Sequence, residues 1–229
     1  MTATATRNGH KRESLAATTP VSEVPETDAV ELQTILLPQQ VRRRYLVGII
    51  GETPLIAHRF GEDAKEAIRL AQSGEAKLKR GPRNPEREFE QARYRLPDGG
   101  DGFPAAGLKK AMTIAGMREA GEKKAELRGR ISITAELLHI ETPNPPEMRV
   151  DNVKLSGIGH VASLAYRPAY WPWRMTVPFS FNAQTMSIAQ LLNILEQTGS
   201  SVSIGDWRVD CDGIFGQFRV DFDAIQPVN

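Results

Sequence analysis

The sequence predicts an α+β protein whose core runs in the order strand, helix, strand, strand, helix, strand. Two segments, 131–137 and 175–181, alternate apolar and polar residues as half-buried strands do. A third segment, 187–199, has the residues that typically begin and end a helix. This succession is the split βαβ, or ferredoxin-like, arrangement. The same architecture underlies the RNA-recognition module, whose open sheet face stacks bases.

The first half of this core begins with an apolar run at 45–51 that ends in glycine, as in a buried strand. Alanines and an isoleucine at helical spacing predict a helix at 61–72. The next helix starts at Pro104, because a proline in the first turn leaves no N–H unpaired. Its apolar stripe consists of Leu108, Ala111, Met112 and Ala115.

The second half of the core contains the helix with the clearest end signals. Ser187 and Gln190 form a capping box, and Gly199 is the predicted C-terminal cap. Pro178 is expected to place the preceding strand at a sheet edge or a bulge, because proline cannot donate to the hydrogen-bond ladder. The last strand has one apolar face, formed by Phe218, Val220 and Phe222.

The chain is predicted to consist of a flexible N-terminal tail over residues 1–42 and one domain over 43–229. The tail is rich in Thr, Ala, Ser, Pro and Glu, and contains too little apolar surface to offset the entropy of ordering it. Large insertions are expected at about 73–102 and 148–173. The first is charged and rich in Gly and Pro, which is typical of a solvated loop, and a mobile arm on an anionic partner is the alternative.

The formal net charge of +1 hides an uneven distribution. Residues 42–130 contain 20 basic and 13 acidic side chains, whereas the segments on either side are net acidic. A cationic middle indicates an anionic partner such as a nucleic acid.

Cysteine content and hydropathy limit the compartment. Cys211 is the single cysteine, which excludes a disulfide framework and a zinc cluster of the CxxC type. No apolar run approaches the roughly 20 residues of a membrane helix, and the polar N-terminus lacks the apolar core of a secretory signal. The expected location is the cytoplasm.

Catalytic and metal-binding patterns are absent from the sequence. It has no His-x-x-x-His pair, no Gly-x-Ser-x-Gly and no Walker-type phosphate loop. His139 falls on the apolar face of its predicted strand, which favours a core histidine. Asp206, Asp210 and Asp212 could hold a cation, but a hairpin turn ending at Gly213 is favoured. We expect no enzyme, no cofactor and no metal.

An aromatic segment at 166–174 is the first candidate binding element. Tyr170, Trp171 and Trp173 could stack on bases, and Arg167 and Arg174 could pair with phosphates. Burial of the rings in a core or a subunit interface is an equally good interpretation.

The start of the helix at 103–112 is the second candidate. Small residues let backbone amides approach a phosphate, and Lys109 and Lys110 follow within two turns. The alternative is an ordinary amphipathic helix with solvated lysines.

A late glycine-rich segment, predicted to be a hairpin, is the third candidate. Its glycines would permit close approach of another backbone, and a tryptophan and an arginine would project from it. Together with two residues near the first strand, the further candidates are His58, Arg59, Gly205, Trp207, Arg208, Gly213 and Gly216.

Three of these stretches carry a family resemblance: 51–56 (Gly-x-x-Pro-Leu-Ile), 103–112 (Phe-Pro-x-x-x-Leu-Lys-x-x-Met) and 205–218. In order and position they resemble the RAMP superfamily, which includes the backbone subunits of CRISPR effector complexes; this chain would be a divergent member. The resemblance covers roughly 43–222. It implies a modified RNA-recognition fold that polymerises along single-stranded nucleic acid, usually guide RNA, with inserted segments acting as thumbs between neighbours.

The leading hypothesis is a non-catalytic subunit that binds single-stranded nucleic acid, with RNA favoured over DNA, and forms a homo-oligomer or filament. It could belong to a larger ribonucleoprotein of a phage or antiviral defence system. One alternative is a structural assembly protein whose aromatic segment is a subunit interface. Another is a ribonuclease that uses His58 or the three aspartates near Gly213.

Overall fold

The computed structural model describes residues 39–74, 82–154 and 162–228. Residues 1–38 of the predicted tail lie outside them. The elements in chain order are β1 (Arg42–Gly51), β2 (Leu55–Ile56), α1 (Glu62–Ser73), α2 (Pro85–Gln91), β3 (Tyr94–Arg95), β4 (Asp101–Pro104), α3 (Ala105–Glu119), α4 (Lys124–Arg130), β5 (Ser132–Ile133), β6 (Leu137–His139), β7 (Glu147–Lys154), β8 (Ala162–Tyr170), β9 (Arg174–Asn182), α5 (Ile188–Gln197) and β10 (Phe218–Val228).

The central sheet has four strands in the order β10, β1, β9, β5, and every neighbouring pair is antiparallel. In chain order these are the fourth, first, third and second core strands, which is a split βαβ arrangement. The predicted α+β, ferredoxin-like fold is therefore confirmed.

The core lies between this sheet and two helices, α3 and α5. The odd-numbered residues of β1 and β9, from Val47 to Ile49 and from Met175 to Phe181, are buried. Strand residues two apart share a face, so these side chains form one apolar surface. It packs against the predicted stripes of α3 and α5, which include Leu108, Met112, Leu191 and Leu195. The capping box of Ser187 is also present.

Two strand predictions are wrong, and a third is wrong in part: Phe222, expected on the apolar face of the last strand, is 63% exposed where β10 changes register against β1. Pro178 lies in the internal strand β9, and its carbonyl accepts from the Thr134 N–H at 2.9 Å. Thr134 follows the end of β5. The proline therefore faces a position where the neighbouring strand has ended and needs no N–H donor from it. The strand expected over 131–137 is also broken, because β6 joins a different sheet and leaves His139 exposed rather than in the core.

Both predicted insertions contain regular structure. The described part of 73–102 includes α2, which Asn84 caps, and β3, so the loop interpretation is wrong there. In the second insertion, β7 and β8 pair over eight residues as an antiparallel hairpin. Two small sheets result, with the orders β2-β8-β7 and β3-β4-β6.

Among the described residues, no helix has the length and apolarity needed to cross a membrane.

Candidate functional site

Three segments that are distant in sequence surround one cleft of about 210 Å³. They are the stretch after β2, the first turns of α3, and the loop at 203–217 between α5 and β10; β3 adds a further wall. The lining residues that concern its chemistry are His58, Tyr94, Pro104, Lys110, Asp206 and Arg208. Residues of the two separate stretches 103–112 and 205–218 thus meet at one site.

Lys110 supplies an exposed positive charge at the α3 wall of the cleft. The helix begins directly after Pro104, and the Ala105 N–H donates to the Glu136 carbonyl at 2.9 Å. In the described part of the chain, no ion pair uses Lys110. Lys109 is half-buried and does not line the cleft. Pro104 and Gly107, at the start of this helix, line the cleft together with Lys110.

The glycine-rich loop is not the predicted hairpin. Its only β-bridge within the described residues is a parallel one between Arg208 and Phe215. A 3₁₀ turn at Val209–Cys211 lies between these two residues. A Cβ at Gly216 would lie 1.7 Å from the Ile204 carbonyl oxygen, and one at Gly205 2.5 Å from that of Ile56. These glycines therefore permit a close backbone approach, as predicted, but to their own chain.

Gly213 belongs to the same internal packing, since a Cβ there would lie 1.7 Å from the Trp207 carbonyl oxygen. Ser203 fixes the loop from inside: its Oγ donates to the Phe215 carbonyl at 2.9 Å and accepts from the Val209 N–H at 2.8 Å. Every glycine predicted to face a partner is thus part of the scaffold that shapes the cleft wall.

Trp207 projects from this loop with 42% of its surface exposed. Its backbone φ is +54°, in the left-handed region that bulky residues rarely occupy. Such a conformation costs roughly 1–3 kcal/mol and persists only where the surroundings impose it. The loop therefore holds an exposed aromatic ring between Asp206 and Arg208, which line the cleft, although Trp207 itself is not part of the lining.

A series of alternating positive and negative side chains extends from the cleft lining into the protein. His58 Nδ1 and Arg167 Nε both lie 3.3 Å from Asp206 Oδ2. Arg167 also lies 3.7 Å from Asp151, which Arg149 contacts at 2.8 Å. Burial alone would raise the pKa of the Asp206 carboxyl, but the hydrogen bond from His58 and the charges of the neighbouring arginines lower it below its ordinary value.

Lowering the pH is expected to reduce the free energy of unfolding of the wild-type protein more than that of the Asp206→Asn variant. Because the folded pKa of Asp206 lies below its unfolded value, the carboxylate stabilises the folded state above its ordinary pKa. That contribution is lost as the pH falls toward the lowered pKa. Urea unfolding should show a larger stability difference between the two proteins at about pH 7 than at about pH 3. An equal difference at both values would show that the pairing does not affect stability.

The structure corrects the role predicted for three aromatic-segment residues. Tyr170 and Trp173 are 0% and 2% exposed, and the indole N–H of Trp173 donates to the Thr53 carbonyl at 2.8 Å. Arg167 is 8% exposed and faces two carboxylates. None of them can reach a base or a phosphate from these positions, so the core interpretation is the right one for them.

The remaining predicted residues lie outside the cleft lining. Trp171 is exposed elsewhere. Arg59 pairs with Glu62, and Arg174 Nη2 lies 2.6 Å from Asp221 Oδ2 at the central sheet. The structure thus does not bring these three residues to the site that contains Lys110.

The two central strands, β1 and β9, lack on their open face the rings that an RNA-recognition module uses. The even-numbered residues of β1 and β9 point away from the core, and none of them is aromatic. Stacking by the two central strands, as in that module, is therefore not available. The cleft is the better candidate site.

Much of the positive charge of residues 42–130 is balanced locally. Ion pairs there include Arg59–Glu62, Arg83–Glu88, Arg87–Asp63, Arg93–Asp101, Arg118–Asp210 and Arg130–Glu122. Exposed pairs of this kind leave little net field at a distance. Unbalanced cations such as Lys110 consequently matter more than the regional total.

Two cleft residues were not predicted as binding residues. Tyr94 is half-buried in the cleft wall, and its hydroxyl donates to the His58 carbonyl at 3.4 Å. The pattern Arg93-Tyr94-Arg95, an aromatic residue between arginines, is the same signal that was used for the aromatic segment. Asp206 was predicted as part of a turn, with a cation ligand or a ribonuclease residue as the alternatives.

The described residues contain no group of three or more His, Cys, Asp or Glu side chains that could hold a metal ion. Asp210 contacts Arg118 at 2.7 Å instead.

Comparison with known proteins gives a structural likeness only. No protein-family model and no curated protein sequence matches the chain. Among solved structures, a chain in the cryo-EM structure of the Type III-B Cmr-beta bound to cognate target RNA is similar, with a TM-score of 0.50 and 10% sequence identity. The match covers 82% of this chain and 61% of that chain. The two chains therefore share a fold over the matched residues.

Proposed function

We propose that this protein binds single-stranded nucleic acid, RNA in preference to DNA, as a non-catalytic subunit. The observation that carries the proposal is the cleft, where His58, Lys110 and Arg208 come together from three distant segments. The shared fold supports it, because the similar chain belongs to a complex whose structure contains target RNA. A cytoplasmic ribonucleoprotein, of the kind found in phage or antiviral defence systems, is the setting that the sequence resemblance implies.

The cleft, together with Trp207 beside its lining residues Asp206 and Arg208, offers the two interactions that a single strand needs. Lys110 and the N-terminal end of α3 provide positive charge for a phosphate. The exposed ring of Trp207 provides a face for a base, and such stacking contributes about 1–3 kcal/mol per base. Both interactions are independent of base identity, so little sequence preference is expected.

Lys110→Ala is expected to weaken binding to a labelled single-stranded RNA about tenfold, because one charge-assisted phosphate contact is lost. Fluorescence anisotropy at low salt measures the dissociation constant. Lys123→Ala is the matched control, since this lysine is 83% exposed and lies outside the cleft. Equal effects of the two substitutions would remove the cleft from the binding site.

Assembly into a homo-oligomer or filament is the second part of the proposal. The β7–β8 hairpin exposes Met148, Val150 and Leu164, which lie on one of its faces. An exposed apolar face is typical of a contact surface. Sizing at two protein concentrations, before and after nuclease treatment, tests this: oligomers that persist unchanged without nucleic acid favour the structural assembly protein.

A ribonuclease is the other candidate, and the contact between His58 and Asp206 in the cleft favours it. A carboxylate that orients an imidazole is one arrangement for general acid–base chemistry. Incubation of labelled RNA with the protein should give no product if the subunit only binds. Product that disappears in His58→Ala would establish the enzyme instead.

A further inference from the structure

The cleft contains one carboxylate among its positively charged residues. Asp206 lines it together with Lys110 and Arg208, and 35% of its side chain is exposed. A carboxylate beside a phosphate chain is unfavourable unless it accepts a hydrogen bond, because an ionised carboxylate has no proton to donate. A hydrogen-bond donor of the nucleic acid at the second carboxylate oxygen would therefore offset this repulsion.

One oxygen of this carboxylate is already engaged. His58 and Arg167 both approach Oδ2, and within the described residues Oδ1 has no hydrogen-bond partner. The backbone is also fixed, since the Asp206 N–H donates to the Ile56 carbonyl at 2.9 Å. Arg167 is buried and held in turn by Asp151, so rotation of the carboxylate would break contacts on both sides. Oδ1 is thus a positioned, available acceptor.

Nucleic acids offer two kinds of donor to such an oxygen. Base amino groups occur in RNA and DNA alike, whereas the 2′-hydroxyl belongs to RNA and is attached to the sugar beside each phosphate. A phosphate held by Lys110 brings its own ribose to the cleft, while the attached base can point away. The sugar hydroxyl is the donor that fits a site built around the phosphate chain.

We propose that Asp206 accepts a hydrogen bond from a ribose 2′-hydroxyl and so makes the cleft select RNA over DNA. This inference rests on the proposed function and names its substrate class. Lys110 contributes affinity that both nucleic acids share, and Asp206 contributes the difference between them.

The experiment compares three labelled oligonucleotides of one sequence by anisotropy: RNA, 2′-fluoro RNA and DNA. The 2′-fluoro strand keeps an RNA-like sugar but lacks the donor. The wild-type protein should bind RNA about tenfold more tightly than either of the others. In Asp206→Ala this ratio should fall to about one, because RNA affinity drops while repulsion of the other strands is relieved.

Two variants complete the design. Asp206→Asn keeps an acceptor oxygen of the same shape and should retain part of the RNA preference, which separates hydrogen bonding from loss of the fold. Asp223→Ala removes an exposed aspartate outside the cleft and should leave the ratio unchanged.

Equal binding of RNA and 2′-fluoro RNA by the wild-type protein would overturn the inference and leave the proposed function intact. The same holds if Asp206→Ala keeps the wild-type ratio, or if its effect varies with the base instead of the sugar. Failure of the wild-type protein to bind any of the three strands would refute both.

Discussion

Gly216→Ala is expected to lower the free energy of unfolding by about 3–5 kcal/mol. An added Cβ would lie 1.7 Å from the Ile204 carbonyl oxygen, and the residue has a φ of +68°. The same residue donates its N–H to the Pro54 carbonyl at 2.9 Å and accepts from the Ile204 N–H at 3.1 Å. Alanine must therefore break the contacts that join the loop to the segment before β2.

Urea unfolding followed by circular dichroism measures this loss. Gly129→Ala is the matched control, because no atom lies within 4 Å of its added Cβ and the residue is inside α4. There alanine should stabilise the helix by about 0.5–1 kcal/mol. RNA affinity should fall in the first variant and stay constant in the second. A Gly216→Ala protein with wild-type stability would show that the loop does not pack as described.

Asp101→Ala should destabilise the protein by about 3 kcal/mol, because the buried Arg93 guanidinium loses its buried partner and keeps only the half-exposed Glu90, 2.8 Å away. Arg93 Nε and Nη2 donate to the two Asp101 oxygens at 3.0 and 2.6 Å. The two side chains are only 12% and 7% exposed. The pair joins β4 to the residue just before β3, and so holds Tyr94 in the cleft wall.

The control for this substitution is Asp63→Ala, which removes an aspartate of similar contact distance from the surface. Asp63 lies 2.6 Å from Arg87, and both side chains are more than half exposed. Its loss should cost less than about 1 kcal/mol, because water screens exposed ion pairs. If the two substitutions cost the same, burial of the Arg93–Asp101 pair contributes nothing.

Local patterns predicted the core of this fold. The spacing of Leu108 and Met112, the capping box at Ser187 and the alternation from Met175 to Phe181 all depend on residues near one another in sequence. Strand ends depend on distant partners instead. The strand predicted over 131–137 is divided because β9 pairs with its first residues and β4 with the residues beyond it.

The candidate site was predicted in pieces. The helix start at Lys110 and the loop at Arg208 were identified separately, but their meeting at one cleft depends on packing that no local pattern reveals. The binding role of the aromatic segment was the weakest prediction, although the alternation of apolar and polar residues in β9 already indicated which rings are buried. Trp173 shares the odd-numbered, buried face that continues through Met175, so its position in the core follows from the pattern of β9.

The charge distribution was likewise predictable from the sequence, whereas the pairing of individual charges was not. Counting charges identified a cationic middle, but side-chain pairing depends on three-dimensional neighbours such as Arg118 and Asp210. Among the described residues, Lys110 lines the cleft without an ion pair, whereas Arg208 lies 3.6 Å from Asp210.

The salt dependence of single-stranded RNA binding tests this site most directly. If Lys110 contacts a phosphate, the logarithm of the wild-type association constant should fall linearly with the logarithm of salt concentration, and Lys110→Ala should reduce the slope by about 0.7. Lys123→Ala should keep the wild-type slope. Binding that does not change with salt, or an unchanged slope in Lys110→Ala, would contradict a phosphate site in the cleft.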